Sequence, residues 1–171
     1  EPKFIEVQRL GSFSARSLDV DVVLDLMIHD LDIILALIKD EVEIIRSSGI
    51  HVLSDKIDIA NAGIEFKGCC VATLTASRVH QGKVRKLRVF EPTSYYSIDY
   101  IDQELKVFPL SGRQTDIKTL KIRKEEPLKK EIENFLRCQA EGKPGKVSGE
   151  EGRRALRLAH GVLREIETAK L

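Results

Sequence analysis

The chain has 171 residues, which is enough for one domain with a sizeable buried core. Hydrophobic residues make up 42% of it and charged residues 32%, which is the composition of an ordinary globular protein and excludes a disordered one. Its 28 basic and 27 acidic residues leave a net charge of +1, so the composition indicates neither a nucleic-acid partner nor an anionic membrane surface. No apolar run reaches the roughly 18 residues of a membrane span.

The N-terminus and the cysteines indicate the origin and location of the chain. Residues 1–6 contain neither an initiator methionine nor a signal peptide and already alternate like a strand, so we expect a fragment of a longer protein. The three cysteines, Cys69, Cys70 and Cys138, match neither a disulfide framework nor a zinc motif. This pattern favours reduced thiols and a cytoplasmic protein.

Hydrophobic periodicity predicts a strand at residues 4–10 and a largely buried helix at about 20–39. Seven strands are predicted after the helix: 42–52, 56–66, 69–79, 83–90, 95–101, 104–110 and 118–122. The turn between the second and third of these seven contains Gly68, whose backbone suits a positive φ. Because short turns rather than helices separate these strands, with Gln81-Gly82 joining 69–79 to 83–90, we expect an antiparallel meander.

Two helices are predicted at the end of the chain. Pro127 begins the first, whose apolar face consists of Leu128, Ile132, Phe135 and Leu136. The second begins with a capping box at residues 148–151 and has its own apolar face toward the core. The predicted fold class is therefore α+β: an open-faced, mostly antiparallel sheet of about six to eight strands, with helices packed on one face.

The first helix contains a stripe of polar residues in an otherwise apolar run. At about 100° per residue, Asp25, His29 and Asp32 fall within about 60° of one another. A carboxylate one turn from an imidazole can orient it and raise its basicity, as a general base requires. Asp21 and Lys39 share the same arc, so the stripe could equally be the solvated face of an amphipathic helix, which is the commoner arrangement for this spacing.

Several functional motifs are absent from the sequence. It contains neither of the glycine-rich phosphate-binding motifs, no metalloprotease motif and no serine nucleophile elbow. The four histidines lie on separate elements, so no metal site is predicted. The basic run at residues 83–88 alternates with apolar residues and is interpreted as the solvated face of a strand rather than a nucleic-acid patch.

Two parts of the chain resemble one known family. The stretch 22–32, VVLDLMIHDLD, resembles the D-x-G-x-H-x-x-D signature of the Gfo/Idh/MocA oxidoreductases. The tail resembles the same family at residues 126–128, 135–136, 142–144 and 147–152. The order and spacing match the C-terminal domain of that family over nearly the whole chain, so the resemblance implies a single substrate-binding and dimerisation domain at residues 1–171.

The resemblance implies specific roles for the residues of the helix. Asp25 and His29 would bind the substrate hydroxyl and remove its proton during hydride transfer, with Asp32 in a supporting role. Met27 stands where the family usually has glycine, which puts the geometry of the pocket in question. NAD or NADP would be bound mainly by an N-terminal Rossmann domain absent from this chain, so the isolated chain is expected to be inactive. The family also implies a homodimer, or a larger oligomer, formed through the sheet face.

The substrate is predicted from the loop before the helix. Arg9 and Arg16 offer guanidinium groups that could hold a carboxylate or a pyrophosphate, although solvated loop charges are an equal alternative. The segment resembles family members that act on nucleotide sugars such as UDP-sugars, and Arg78 is a further candidate substrate contact. A different class of function also remains open: a non-catalytic sugar-binding or assembly module that uses the same sheet.

Overall fold

The computed structural model describes residues 1–14, 19–110 and 116–169. These ranges contain eight strands: β1 (Phe4–Leu10), β2 (Val42–Ile50), β3 (Ile59–Phe66), β4 (Val71–Ser77), β5 (Val84–Phe90), β6 (Ser94–Asp99), β7 (Glu104–Pro109) and β8 (Lys118–Leu120). The helical segments are a π turn (Val23–Met27), α1 (Ile28–Leu37), α2 (Pro127–Glu141) and α3 (Gly149–Thr168). The predicted α+β class is confirmed. No helix within these ranges has both the length and the apolar character needed to cross a bilayer.

All eight strands form one sheet in the order β2-β3-β4-β1-β5-β6-β7-β8. β1 is parallel to β4, and every other pair is antiparallel, so the mostly antiparallel sheet is confirmed. The predicted pairing of β4 with β5 is wrong, because β1 lies between them. Turn chemistry between consecutive strands cannot reveal such an insertion. Ile5 and Val7 make β1 a central strand, since both are buried against the helices.

One face of the sheet is covered by the π turn, α1 and α3. Along β3 and β4 buried residues alternate with more exposed ones, as expected when only one face is covered. Gly161 lets α3 approach β2 closely, since a Cβ at this position would lie 2.8 Å from Cδ1 of Ile45. The core on this face includes Ile5, Met27, Leu31, Ile34, Ile64, Leu74, Leu87, Val162 and Ile166.

The helix α2 does not contribute to this core. It has the predicted start, with Pro127 in its first turn, and it ends at Gly142 in the left-handed conformation. None of its residues is buried, and Leu128, Phe135 and Leu136 are each about 60% exposed. The apolar face predicted for α2 therefore exists but faces away from the core of this chain.

The opposite face of the sheet carries a row of aromatic side chains across four neighbouring strands. Phe4 lies beside Phe90, with ring centroids 5.8 Å apart. Tyr95 stacks on Phe90 at 5.1 Å and on Phe108 at 4.2 Å. The register places these four residues directly opposite one another on β1, β5, β6 and β7. We call this surface the open face of the sheet.

The turn between β3 and β4 differs from the prediction. The positive φ, 63°, belongs to Cys69 and not to Gly68. A Cβ at position 68 would meet the carboxylate of Asp40, an exposed side chain that can move aside, so the structure shows no strict requirement for glycine there. Cys70 is buried, and this burial raises the pKa of its thiol.

A buried carboxylate, Asp58, organises the loop between β2 and β3. It accepts hydrogen bonds of 2.7–2.9 Å from the backbone N–H groups of residues 52–54, and one of 2.7 Å from the Ser54 hydroxyl. Burial by itself would raise the pKa of Asp58, but these donors outweigh it and lower the pKa from 3.8 to about 2. Asp58 is therefore ionised at neutral pH and needs a positive partner.

Arg78, at the end of β4, is that partner, and it also fixes the segment that leads into the π turn. Its Nε lies 3.5 Å from Oδ1 of Asp58, and its Nη2 donates to the carbonyl oxygens of Val20 at 2.7 Å and Ile57 at 3.2 Å. Asp21 accepts a hydrogen bond of 2.8 Å from the N–H of Ile57. Strand, loop and helix therefore meet at one buried ion pair.

We expect Asp58→Asn to lower the free energy of unfolding at pH 7 by about 3 kcal/mol, because it leaves Arg78 buried without its carboxylate. Urea denaturation measures this change. The matched control is Asp55→Asn, an exposed acid in the same loop, for which a change within about 0.5 kcal/mol is expected.

The same variant tests the pH dependence. Because the pKa of Asp58 is about 2 in the folded protein and 3.8 in its ordinary state, its ionisation stabilises the fold above pH 3.8. That stabilisation, about 2 kcal/mol, is lost as the pH falls toward 2. Asp58→Asn should lack this part of the acid destabilisation; identical profiles for variant and wild type would contradict the assignment.

Candidate active site

The helix predicted to carry the site begins with a π turn. The N–H of Ile28 donates to the carbonyl oxygen of Val23, a spacing of five residues instead of the four of an α-helix. The wider turn changes where Asp25 points relative to the regular helix that the sequence predicts. Met27, where the family signature usually has glycine, is completely buried in the core and does not line a pocket. π turns within helices occur frequently at functional sites.

Asp25 and His29 lie at the surface, one turn apart. Asp25 is half-buried and lines a cleft at one end of the sheet, whereas His29 is exposed. Within the described ranges, neither side chain makes a hydrogen bond or an ion pair. An acid and an imidazole without internal partners are both accessible to a ligand.

The neighbouring acid, Asp30, has the opposite environment. It is buried and forms a two-pronged ion pair with Arg9 of β1, in which Nε and Nη2 of Arg9 each lie 2.7 Å from a carboxylate oxygen. The side chains of Arg9 and Asp30 are 11% and 3% exposed. The pair fixes α1 to the sheet directly beneath the exposed His29. Such planar, charge-assisted pairs are the strongest hydrogen-bonded contacts a protein makes.

The cleft beside Asp25 has a volume of about 180 Å³. It lies where β1 and β4 end, where β5 begins and where the π turn passes. Its walls include the predicted residues Asp25, Arg9 and Arg78, which the structure therefore brings together. Lys83 and Arg85 line the same cleft, although the sequence suggested no function for them.

The other predicted site residues lie elsewhere. Asp32 lines a separate pocket of about 70 Å³, together with Lys146 and Arg154, on the side of α1 that faces α3. Arg16 falls outside the described residues. Asp25 and Asp32 therefore line different pockets, and exposed His29 is in the lining of neither.

Two further residues near the site, Asp30 and Tyr100, were not predicted. Asp30 follows Met27 by three positions and precedes Ile34 by four, so it lies on the apolar side of the helix, where a lone acid indicates a buried partner. Tyr100, which follows β6, is close enough for the charges of Asp30 and Arg9 to affect its pKa. Burial raises the pKa of Tyr100, the charge of Asp30 raises it further, and Arg9 opposes the change.

The basic side chains of the run at residues 83–88 lie on both faces of the sheet. Lys86 and Arg88 lie on the open face, where they pair with Asp99 at 3.7 Å and Glu6 at 2.8 Å. Lys83 and Arg85 point to the other side, into the cleft. All four bases of the run are exposed or half-buried, as expected for solvated side chains of a strand, but they lie on both faces of the strand rather than on one.

The described residues do not form a nucleotide-binding or metal site of a familiar kind. Within these ranges, the one parallel pair of strands is not linked as a βαβ unit with a glycine-rich turn. No three His, Cys, Asp or Glu side chains of the described part converge as metal ligands. What the cleft offers is an acid, a neighbouring imidazole and several cations.

Comparison with known proteins relates this arrangement to oxidoreductases. UDP-N-acetylglucosamine 3-dehydrogenase of Acidithiobacillus ferrooxidans is 36% identical over 97% of this chain and 55% of that enzyme. Its solved structure matches 98% of this chain with a TM-score of 0.90. Levoglucosan dehydrogenase in complex with NADH and levoglucosan is 14% identical, with a TM-score of 0.82, and shares the fold. No family model matches the sequence.

The lengths of these relatives differ from that of the chain. The chain spans 55% of the curated relative, and between 54% and 57% of the solved structures named above. The matched half contains the complete sheet, the π turn and all three helices. The site described above therefore lies within a region shared with these proteins.

We expect Arg9→Met to lower the free energy of unfolding by about 3–5 kcal/mol, because it leaves Asp30 buried without a partner. The double variant Arg9→Met with Asp30→Leu should recover most of this loss, since no unpaired charge remains. Chemical denaturation of the four proteins completes the double-mutant cycle. The control is Arg88→Ala, which removes the exposed pair with Glu6 and should cost under about 1 kcal/mol. Equal losses for Arg9→Met and Arg88→Ala would contradict the anchoring role.

Proposed function

Because this chain belongs to the Gfo/Idh/MocA family of oxidoreductases and corresponds to the C-terminal half of its members, we propose that it forms the substrate site of an NAD(P)-dependent sugar dehydrogenase. The observation that carries the proposal is the accessible Asp25 and His29 pair beside a cationic cleft. The preferred substrate is a nucleotide sugar of the UDP type, because the relative at 36% identity is named for one.

In this proposal His29 acts as the general base. Its exposed imidazole accepts the proton of the substrate hydroxyl while the carbon of that hydroxyl loses a hydride, so that a ketone forms. Asp25, one turn earlier, would accept a hydrogen bond from the same hydroxyl and so hold it in place for His29. Of the two, Asp25 lines the cleft, which supports a position for the pair at the edge of the proposed substrate site.

A nicotinamide cofactor, NAD or NADP, accepts the hydride when it is bound by the other half of the enzyme. The described part of this chain offers no glycine-rich βαβ turn for its pyrophosphate, so we assign cofactor binding mainly to an N-terminal Rossmann domain. By itself, the 171-residue chain should therefore not turn over. Its own contribution is to bind the sugar and to receive the proton.

The remaining predicted residues receive more limited roles. Arg9 and Arg78 line the cleft, but each is held by a buried acid, Asp30 or Asp58, so we propose that they shape the cleft more than they contact the substrate. Asp32 lies in the separate pocket toward α3 and supports the helix from there. That Arg16 contacts the substrate directly stays a prediction.

We propose that the Rossmann half of the full-length enzyme packs on the exposed apolar face of α2. A 15-residue helix is marginal in water unless an apolar face is covered. Four large side chains on α2, Leu128, Ile132, Phe135 and Leu136, are at least half exposed. The relatives contain an additional half that this chain lacks, and we propose that this half covers α2 in the full-length protein.

The open face of the sheet is the proposed surface for a second copy. It belongs to a sheet of eight strands, and the row of Phe4, Phe90, Tyr95 and Phe108 gives it an apolar band flanked by ion pairs. Aromatic residues beside paired charges are typical of protein interfaces. The family resemblance, which implies dimerisation through the sheet, supports the same assignment.

We expect His29→Ala in the full-length enzyme to lower kcat for UDP-sugar oxidation by about 10²–10⁴-fold, the usual contribution of a general base. Formation of NAD(P)H measures the rate. Because His29 is exposed, the melting temperature should not change, and His160→Ala, an exposed histidine of α3, is the matched control. Added imidazole should restore part of the activity. Undiminished turnover would refute the assignment, and a wild-type protein that binds sugar without oxidising it would support the non-catalytic binding module.

The two surfaces can be tested against each other in the full-length protein. Phe135→Asp on α2 should lower the free energy of unfolding by about 2 kcal/mol or more, since it places a charge in a buried interface, but should leave the dimer intact. Thr73→Arg, in the middle of the open face, should convert the dimer to a monomer with little loss of stability. Sedimentation and denaturation measure both properties. A monomer from Phe135→Asp, or a dimer from Thr73→Arg, would reverse the assignments.

A further inference from the structure

The cleft beside Asp25 carries more positive charge than the fold itself requires. Among the residues that the structure describes, four basic residues and one acidic residue line it. Two of the bases are already compensated, because Arg9 pairs with Asp30 and Arg78 with Asp58. The two that remain are Lys83 and Arg85, which are both exposed.

Lys83 and Arg85 differ from the other bases of the same run. On the open face, Lys86 and Arg88 each have a carboxylate partner. Within the described ranges, Lys83 and Arg85 have no side-chain hydrogen bond or ion pair. Two neighbouring cations that lack counter-ions inside the described part of the protein are available to bind an anionic ligand.

The register of β5 against β1 adds to the uncompensated positive charge at the cleft. Arg85 lies directly opposite Arg9 in the antiparallel pairing of β5 with β1. Like charges at directly opposite positions disfavour the pairing of strands. Asp30 neutralises one of the two guanidinium groups, and an anion bound at Arg85 would neutralise the other.

The size and lining of the cleft indicate the class of anion. At about 180 Å³ it is smaller than the roughly 300–1,000 Å³ of pockets that enclose a whole drug-sized ligand, so it fits one group of a larger substrate. The hydroxyl-bearing residue Ser12 also lines it, beside the two cations. Guanidinium, ammonium and hydroxyl donors together match the oxygens of phosphoryl groups.

We propose that Lys83 and Arg85 bind the diphosphate of the nucleotide-sugar substrate. This inference rests on the proposed function, because it places the sugar ring between that diphosphate and the Asp25–His29 pair. Two neighbouring parts of the substrate are then held in or beside the cleft: the phosphoryl oxygens at the start of β5, and the reacting hydroxyl of the sugar at the π turn. Neutral sugars would lack the first of these contacts, so the pair would also select for nucleotide sugars.

The test measures binding of UDP to the full-length protein by calorimetry. Lys83→Gln and Arg85→Gln should each weaken UDP binding about tenfold, and the double variant about a hundredfold, since each removes a charge-assisted contact. Uridine, which has no phosphate, should bind all variants equally. Lys86→Gln is the matched control on the same strand and should leave UDP affinity within about twofold of wild type. Because all three side chains are at the surface, folding is preserved, which circular dichroism verifies.

The outcomes separate this inference from the proposed function. Unchanged UDP affinity in the double variant, with activity still lost in His29→Ala, would overturn the diphosphate site and leave the dehydrogenase intact. Loss of NAD⁺ affinity instead of UDP affinity would assign the anion to the cofactor and overturn the substrate site. Weakened UDP binding in a protein whose His29→Ala variant keeps full activity would support the diphosphate site and refute the proposed base.

Discussion

The arrangement of the site depends on two buried ion pairs between arginines of the sheet and acids outside it. Arg9 of β1 holds Asp30 of α1, and Arg78 at the end of β4 holds Asp58 while bonding the backbone before the π turn. A buried charge is destabilising unless it is paired and hydrogen-bonded. Separating either acid from its arginine would therefore raise the free energy of the folded state. The helix that carries Asp25 and His29 is thereby fixed on the sheet at two points.

This internal neutralisation determines which charges are available for function. Once Arg9 and Arg78 are paired with their acids, the charged groups of the described residues that remain accessible in the cleft are Asp25, Lys83 and Arg85, and His29 is exposed one turn from Asp25. Asp25 and His29 can take part in proton transfer, and Lys83 and Arg85 can bind an anion. A nucleotide sugar, which has a reacting hydroxyl on its sugar ring and a diphosphate attached to that ring, would use both sets. The exposed faces of α2 and of the sheet suit the larger assembly in which such a reaction takes place.

Much of the fold could be predicted because it follows from local patterns. The alternation in β1, the apolar run of α1, the proline at the start of α2 and the capping box of α3 each depend on neighbouring residues, and the structure contains all four. The pairing of β1 between β4 and β5 could not be predicted, since it joins segments more than 60 residues apart. The π turn was missed because a periodicity analysis assumes a regular helix.

The sequence by itself determined the α+β class, the helix with Asp25 and His29, and the amphipathic character of α2, because periodicity and capping are properties of neighbouring residues. Only the tertiary structure decided that Asp30 is buried, that Asp32 belongs to another pocket, and that Lys83 and Arg85 face the cleft. These outcomes depend on which distant residue supplies a counter-charge. The partners of a charged side chain are set by the packing of whole elements, and that information is distributed over the entire chain.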